Sequence, residues 1–270
     1  MNSRAIPQLF AVTILLLFSL SVGAVESGVL SGKEIVQRCH YKNPGDDHRS
    51  RLLVTSTLAD GRKVISEYIR LWKNYDGKDG IVDKVILYAA GPHNEGLAFM
   101  RWGYVNGSKR LADQWIYLPE TRFVKRIAKR SADEMDWGFS DDDLRLRDID
   151  EDDHRFLGVR TLEGNEFYVV ESIPKHDHIY GKRISWFSKT KEWKYCLETR
   201  IDYFDKEMKM VKKQLISWRL IDSAWVWERA TIKNFRAGST TVYEVKDIEV
   251  NVGLKDREFS TRTLGRDIKR

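Results

Sequence analysis

Residues 51–90, RLLVTSTLADGRKVISEYIRLWKNYDGKDGIVDKVILYAA, carry the clearest structural pattern in the chain. Three runs at 52–58, 63–72 and 83–90 are separated by the dipeptides Asp60-Gly61 and Asp79-Gly80. Asp-Gly between strand-like runs is a strong hairpin signal, because both residues of a tight hairpin turn must accept positive φ. This stretch therefore predicts three consecutive antiparallel strands.

The same pattern continues along the chain, with one acidic interruption near residues 131–153. Further strand-like runs lie at residues 97–104, 113–118, 155–164, 166–172, 183–188, 194–204, 209–220, 225–235 and 240–250. Long consecutive antiparallel strands need a curved sheet to hide one face. We predict a mainly β (α+β) fold built on a large half-barrel or barrel, that is, a large curved antiparallel sheet or unclosed β-barrel.

A short helix is predicted before the first strand. Ser31 and Glu34 have the spacing of a capping box, and Ile35, Val36 and Cys39 fall on one helical face. We expect this helix to end near residues 43–45, Asn-Pro-Gly.

The first 24 residues have the features of a signal peptide. Arg4 is the only charge among the first 25 residues, and the apolar run 9–20 is shorter than the ~20 residues of a membrane span. We predict cleavage after Ala24, with an uncleaved N-terminal anchor as the alternative. Cleavage leaves residues 25–270 as a single domain and, by removing Arg4, lowers the formal charge from +6 to +5. We therefore expect an exported protein, periplasmic in a Gram-negative cell.

Composition excludes several other classes of protein. With 42% hydrophobic residues, 5 Pro and 2 Cys, the chain is neither disordered nor a disulfide-built miniprotein. Cys39 and Cys196 are either paired, as an oxidising compartment permits, or two separately buried thiols. Neither cysteine has a redox or metal-ligand spacing, so we expect no cysteine chemistry.

Enzyme and metal signatures are weak. The sequence contains no GxSxG, HExxH, Gly-rich phosphate loop or CxxC, and we predict no enzymatic activity, no cofactor and no metal. His176-Asp177-His178 offers two imidazoles without an identified third ligand, and a pair of loop histidines is the simpler interpretation. Asp148-x-Asp150-x-Asp152 is similar to the start of a calcium loop, but it lacks the required Gly and Glu further on. Helix-start and solvated carboxylates explain it better.

The excess of basic over acidic residues limits the classes of molecule that the protein is expected to bind. Residues 115–126 interleave aromatic and basic side chains, as a platform for single-stranded nucleic acid does. Export disfavours nucleic acid and favours anionic lipid head groups or an acidic protein.

Four motifs, in order, resemble those of one family. DQWIYLP at 113–119 and the basic RFVKRI at 122–127 resemble the signature of the outer membrane lipoprotein-sorting proteins, the LolA-like family. SGKEIVQ at 31–37, GRKVISEY at 61–68 and IEVNVGLKDREFSTRTL at 248–264 resemble its opening helix, an early strand and its closing segment. The resemblance implies a curved antiparallel sheet wrapped around helices that cover an apolar cavity. It also implies a periplasmic carrier of a lipid or a lipid-modified protein, often with a transporter of the RND or MMPL type. WGFSDDDL at 137–144 keeps only the outline of the family's segment there, so the cargo stays open.

Aromatic and aliphatic residues at alternating strand positions are candidates for the lining of such a cavity, with core packing as the alternative. They are Leu87, Phe99, Trp115, Tyr117, Trp186, Tyr203, Trp218 and Trp227. The candidates for contact with a head group or partner, including transient contact with a membrane surface, are Arg122, Lys125 and Arg126. Two other classes stay open: an envelope accessory or stress-sensing interaction protein with a filled core, and an exported hydrolase.

Overall fold

The protein is built on one sheet of thirteen strands. The computed structural model describes residues 30–91, 95–105, 110, 112–127, 147–176 and 179–265. The strands are β1 (Asp47–Thr57), β2 (Lys63–Asn74), β3 (Ile81–Ala89), β4 (Ala98–Tyr104), β5 (Asp113–Leu118), β6 (Phe123–Ile127), β7 (Asp152–Leu162), β8 (Asn165–Pro174), β9 (Lys182–Ser188), β10 (Glu198–Phe204), β11 (Met210–Ile221), β12 (Ala224–Asn234) and β13 (Ser239–Val250). The described helices are α1 (Gly32–His40) and α2 (Thr261–Leu264), with short 3₁₀ turns between strands.

The sheet consists of two antiparallel meanders joined in the middle. Its order is β6-β5-β4-β3-β2-β1-β13-β12-β11-β10-β9-β8-β7, so the first and last strands pair with each other. The two edges, β6 and β7, flank the acidic interruption in sequence and do not pair in the described part of the chain. The predicted curved antiparallel sheet is confirmed in its unclosed form, and the closed barrel is wrong.

The two faces of the sheet are covered by different segments. We call the face that carries His48, Arg70 and Arg183 the inner face, and the opposite one the outer face. The apolar side of α1 packs on the inner face of β7 to β9, where Ile35 and Val36 contact a cluster that includes Phe187. We call residues 251–264, which follow β13, the closing segment. It packs on the outer face of β2 to β5 and forms a further cluster of side chains there. The buried members of this cluster are Ile69, Leu71, Ile86, Ala98, Met100, Phe259 and Leu264.

A disulfide fixes α1 to the sheet. Cys39, on the buried side of α1, is bonded to Cys196, which stands two residues before β10 begins. Of the two alternatives for the cysteines, the structure shows the disulfide and not two separate thiols. The helix has the predicted capping box at Ser31 and Glu34, but it ends at His40, a few residues before Pro44. No described helix combines the length and the apolar character needed to cross a membrane.

Candidate binding cavity

The inner face encloses a cavity of about 1640 Å³. Its walls come from α1 and from strands at both ends of the sheet, such as Arg101 on β4 and His154 on β7. Strands that lie so far apart in the sheet order share one cavity because the sheet curls around it. The volume exceeds the roughly 300–1,000 Å³ of a typical small-ligand pocket. A ligand larger than a metabolite therefore fits.

One wall, formed by β1 to β4, is polar. Asp83 Oδ1 accepts a hydrogen bond from Arg101 Nη1 at 2.8 Å, and Asp83 Oδ2 accepts one from Trp72 Nε1 at 3.2 Å. His48 stacks near Trp72, with ring centroids 4.5 Å apart, and donates from Nε2 to the carbonyl of Pro44. Burial, with the nearby Arg70 charge, lowers the pKa of His48 to about 4. This wall therefore holds a neutral imidazole and two arginines beside one carboxylate.

The second wall lies beside α1 and β7, and its charged side chains are paired with one another. Asp152 accepts hydrogen bonds from Arg147 at 3.0 Å and from Arg183 at 2.8 Å. His154 hydrogen-bonds Ser172 Oγ through Nδ1 at 2.8 Å and the carbonyl of Ile149 through Nε2 at 2.9 Å, and burial lowers its pKa.

The three carboxylates of the calcium-like pattern all have protein partners. Asp152 is held by the two arginines just described, Asp150 forms an ion pair with Lys33 at 2.6 Å, and Asp148 caps the short turn that follows it. In the described part of the chain, no group of three or more potential ligands could hold a metal ion. His176 is exposed at the cavity rim, while Asp177 and His178 lie outside the described residues.

The third wall, formed by β10 to β12, is mainly apolar. Tyr203 donates its hydroxyl to Gln214 Oε1 at 2.8 Å, and Trp218 donates Nε1 to the carbonyl of Glu198 at 2.7 Å. With their polar atoms bonded within the sheet, these rings present apolar surface to the cavity. Ile201, Ile216, Trp227 and Ala230 extend the same surface.

The structure divides the eight predicted lining residues between the two faces. Tyr203, Trp218 and Trp227 line the cavity. Leu87 and Phe99 share the inner face but are buried in a core cluster with Leu52 and Tyr68.

The other three point outward. Trp115 and Tyr117 pair in register with Met100 and Ala98 and belong to the outer cluster under the closing segment. Trp186 lies on the outer face of β9, with the Arg200 guanidinium 4.6 Å from its ring centroid. Whether any of the eight contacts a cargo stays a prediction.

The predicted basic contacts lie away from the cavity wall. Arg122 stands in the turn between β5 and β6 with a φ of 51°, and Lys125 and Arg126 are exposed on the edge strand β6. Arg126 forms an ion pair with Asp113. Their role toward a head group or partner stays a prediction.

Sequence reasoning missed the polar wall. Arg70 and Trp72 lie at alternate positions of β2 after Tyr68, so all three side chains share a face. A charged residue at the next alternate position after buried residues of a strand is the signal that could have revealed this wall.

Comparisons with known proteins agree with this architecture. A family model described as an "Uncharacterized protein"-like family matches residues 81–266. A DUF1329 family protein from Desulfovibrio piger is 26% identical, with a TM-score of 0.76 over 86% of this chain and 97% of that one. No curated protein matches the sequence.

Two further solved structures carry names that bear on the predicted resemblance. A domain from Vibrio parahaemolyticus, described as outer membrane lipoprotein-sorting, is 22% identical, with a TM-score of 0.72 over 87% of this chain and 98% of that one. A LolA superfamily protein from Nitrosomonas europaea is 14% identical, with a TM-score of 0.63 over 87% of this chain and 100% of that one. The resemblance to the LolA-like proteins is confirmed as a shared fold.

Proposed function

Because this chain belongs to the "Uncharacterized protein"-like family whose model matches residues 81–266, and because it has the LolA-like fold, we propose that it is a carrier of lipid. It holds a lipid, or the acyl chains of a lipoprotein, in the cavity of the inner face. It passes this cargo across the periplasm without covalent chemistry, and a transporter of the RND or MMPL type is its proposed membrane partner.

The cavity of about 1640 Å³ is the observation that carries this proposal. Its β10 to β12 wall offers apolar rings and aliphatic side chains, and burying each methylene of a guest contributes about 0.8 kcal/mol. An acyl chain of ordinary length would therefore bind firmly. A protein with a filled core, the alternative function, would have no such space.

Two features support a periplasmic location. The signal-peptide pattern of residues 1–24 directs export, and the bond between Cys39 and Cys196 is of a kind that persists in oxidising compartments. Exposed Arg122 and Lys125 at one sheet edge are suited to brief contact with an anionic membrane surface.

Native mass spectrometry tests the proposal. Mature protein purified from the periplasm, and delipidated protein offered phospholipid vesicles, are both expected to retain lipid at defined stoichiometry. A chain that retains lipid in neither case contradicts the carrier function.

A matched pair of tryptophan substitutions on β11 locates the bound lipid. Ile216 lines the cavity, whereas its neighbour Leu215 is 47% exposed on the outer face. I216W is expected to reduce lipid retention because it fills the space beside Trp218, and L215W is expected to leave retention unchanged. Equal retention by both variants would place the lipid elsewhere.

A further inference from the structure

Arg70 occupies an unusual position on the cavity wall. It lies in the middle of β2, lines the cavity and is half-buried. In the described part of the chain its guanidinium contacts no carboxylate, and its neighbour is the Trp227 ring, whose centroid is 5.6 Å away. Burial lowers the pKa of Arg70 to about 10, so the side chain keeps its charge at neutral pH.

The carboxylate near Arg70 is already engaged. One oxygen of Asp83 accepts from Arg101 at 2.8 Å and the other accepts from Trp72 at 3.2 Å. Asp83 therefore has no oxygen left for a hydrogen bond of the same kind with Arg70. Arg70 is half-buried and has no carboxylate partner of its own among the described residues, so an anion in the cavity would gain a charge-assisted hydrogen bond from it.

Ser50 adds an unused hydrogen-bonding group beside Arg70. The two residues are register partners on β1 and β2, so their side chains are neighbours on the inner face. Ser50 is 2% exposed, and its Oγ has no hydrogen-bond partner among the described residues. The register between β1 and β13 shifts at this point, between Arg49 and Arg51. Such irregularities commonly re-aim side chains next to functional sites.

His48, two residues earlier on β1, has a different role toward a ligand. Its Nε2 donates to the carbonyl of Pro44, so Nδ1 of the neutral ring is an acceptor, and Nδ1 is buried without a partner. This atom can accept a hydrogen bond from a hydroxyl or ammonium group attached to the anion.

The cavity thus separates two chemistries that meet at Trp227. Arg70 and His48 form a polar corner of the cavity, with the buried Ser50 between them on the same face, and the β10 to β12 wall begins at the Trp227 ring. Resting on the proposed carrier function, we propose that the cargo is an acyl lipid with an anionic phosphodiester head group. Arg70 binds the phosphate oxygens, and the acyl chains lie along β10 to β12.

The test compares two lipids with the same acyl chains. Vesicles of an uncharged, phosphate-free galactolipid doped with dioleoylphosphatidylglycerol or with dioleoylglycerol are offered to delipidated mature protein. Binding is followed by native mass spectrometry and by the fluorescence of the cavity tryptophans. The wild-type protein is expected to bind the phosphodiester lipid about tenfold or more tightly than dioleoylglycerol, because charge-assisted hydrogen bonds exist only with the former.

Three variants test whether a loss of binding comes from the missing charge of Arg70 or from a folding defect. R70Q is expected to lower affinity for phosphatidylglycerol to the dioleoylglycerol value and to leave dioleoylglycerol binding unchanged. R70K, which keeps the charge but loses the planar fork, should be intermediate. R229Q removes one positive charge from the outer face of β12, where Arg229 pairs with Glu244, and should bind like the wild type. R70Q is also expected to unfold at the same or a higher temperature than the wild type, which excludes misfolding as the cause.

The outcomes distinguish failure of this inference from failure of the carrier function. Wild-type binding of both lipids with equal affinity, unchanged in R70Q, overturns the head-group site and keeps the carrier. Wild-type binding of neither lipid overturns the carrier function. Inorganic phosphate is tested alone by thermal shift, and a stabilisation that R70Q abolishes, without any lipid preference, would make the corner a site for free anions and overturn the lipid assignment.

Discussion

At the scale of single residues, the buried imidazole of His48 makes stability depend on pH. Burial holds its pKa in the folded protein at about 4, against an ordinary value of 6.5. Between these values the unfolded chain binds more protons than the folded one, so the free energy of unfolding falls as pH falls from 6.5 towards 4. The loss from this group is on the order of 3 kcal/mol.

Urea titrations at several pH values between 4 and 7 measure this effect. H48Q should lose a large part of the slope, because glutamine does not titrate and can still donate to the Pro44 carbonyl. His154, whose pKa burial also lowers, keeps its own contribution in the same direction. H176Q, at an exposed histidine, is the control and should retain the slope of the wild type. Identical slopes in H48Q and H176Q would contradict the assignment to His48.

At the scale of elements, Asp47 ties the closing segment to the sheet. Its carboxylate, 3% exposed, accepts backbone hydrogen bonds from Val252 at 2.7 Å, Gly253 at 3.1 Å and Leu254 at 2.9 Å. The segment continues to the buried Phe259 on the outer face. D47A leaves these three donors without the carboxylate, and we expect the free energy of unfolding to fall by about 3 kcal/mol.

Urea unfolding and limited proteolysis check this prediction. D47A should unfold at lower urea and be cleaved faster near residues 252–258, and D47N, which keeps one acceptor oxygen, should be intermediate. D46A changes the neighbouring exposed carboxylate and should alter stability by less than about 0.5 kcal/mol. A midpoint for D47A equal to that of D46A would show that the carboxylate does not hold the segment.

Twelve of the thirteen strands were predictable because their signals are local. Hairpin turns and β-branched runs place β2, β5 and β9 within two residues of their observed ends. The prediction missed β6, since two of its five residues are basic and the edge position leaves most of them exposed. The pairing of β1 with β13 has no local signal, because it joins residues almost 200 positions apart.

The choice of face was harder to predict than the strands themselves, and β-bulges are the physical reason. A register shift between Ser217 and Trp218 brings Trp218 opposite Trp227, so both rings face the cavity. A second shift between Glu198 and Arg200 brings Arg200 opposite Trp186 on the outer face. A one-residue slip exchanges the faces of all later side chains, and alternation alone cannot reveal where it occurs.

At the scale of the whole molecule, the fold pairs the first strand with the last and leaves β6 and β7 as the two edges of the sheet. β1 and β13 form the centre of the sheet, and the cavity opens between walls contributed by both meanders. The disulfide links α1 covalently to the second meander and joins two residues that are 157 positions apart in sequence. In the chain-entropy model such a link stabilises the folded state by on the order of 5 kcal/mol, so the compartment in which the chain folds decides how stable it is.

Because stability depends on the disulfide, the melting temperature can test the predicted export. The chain made with residues 1–24 and recovered from the periplasm should begin at Val25, carry no free thiol and melt about 10 °C or more above the same chain made without them in a reducing cytosol. C39A/C196A should melt at the lower temperature in both cases, because it has no bond to form. A periplasmic product that retains residues 1–24 would show an anchor instead of a cleaved leader, and equal melting of the two wild-type preparations would show that the bond contributes nothing to stability.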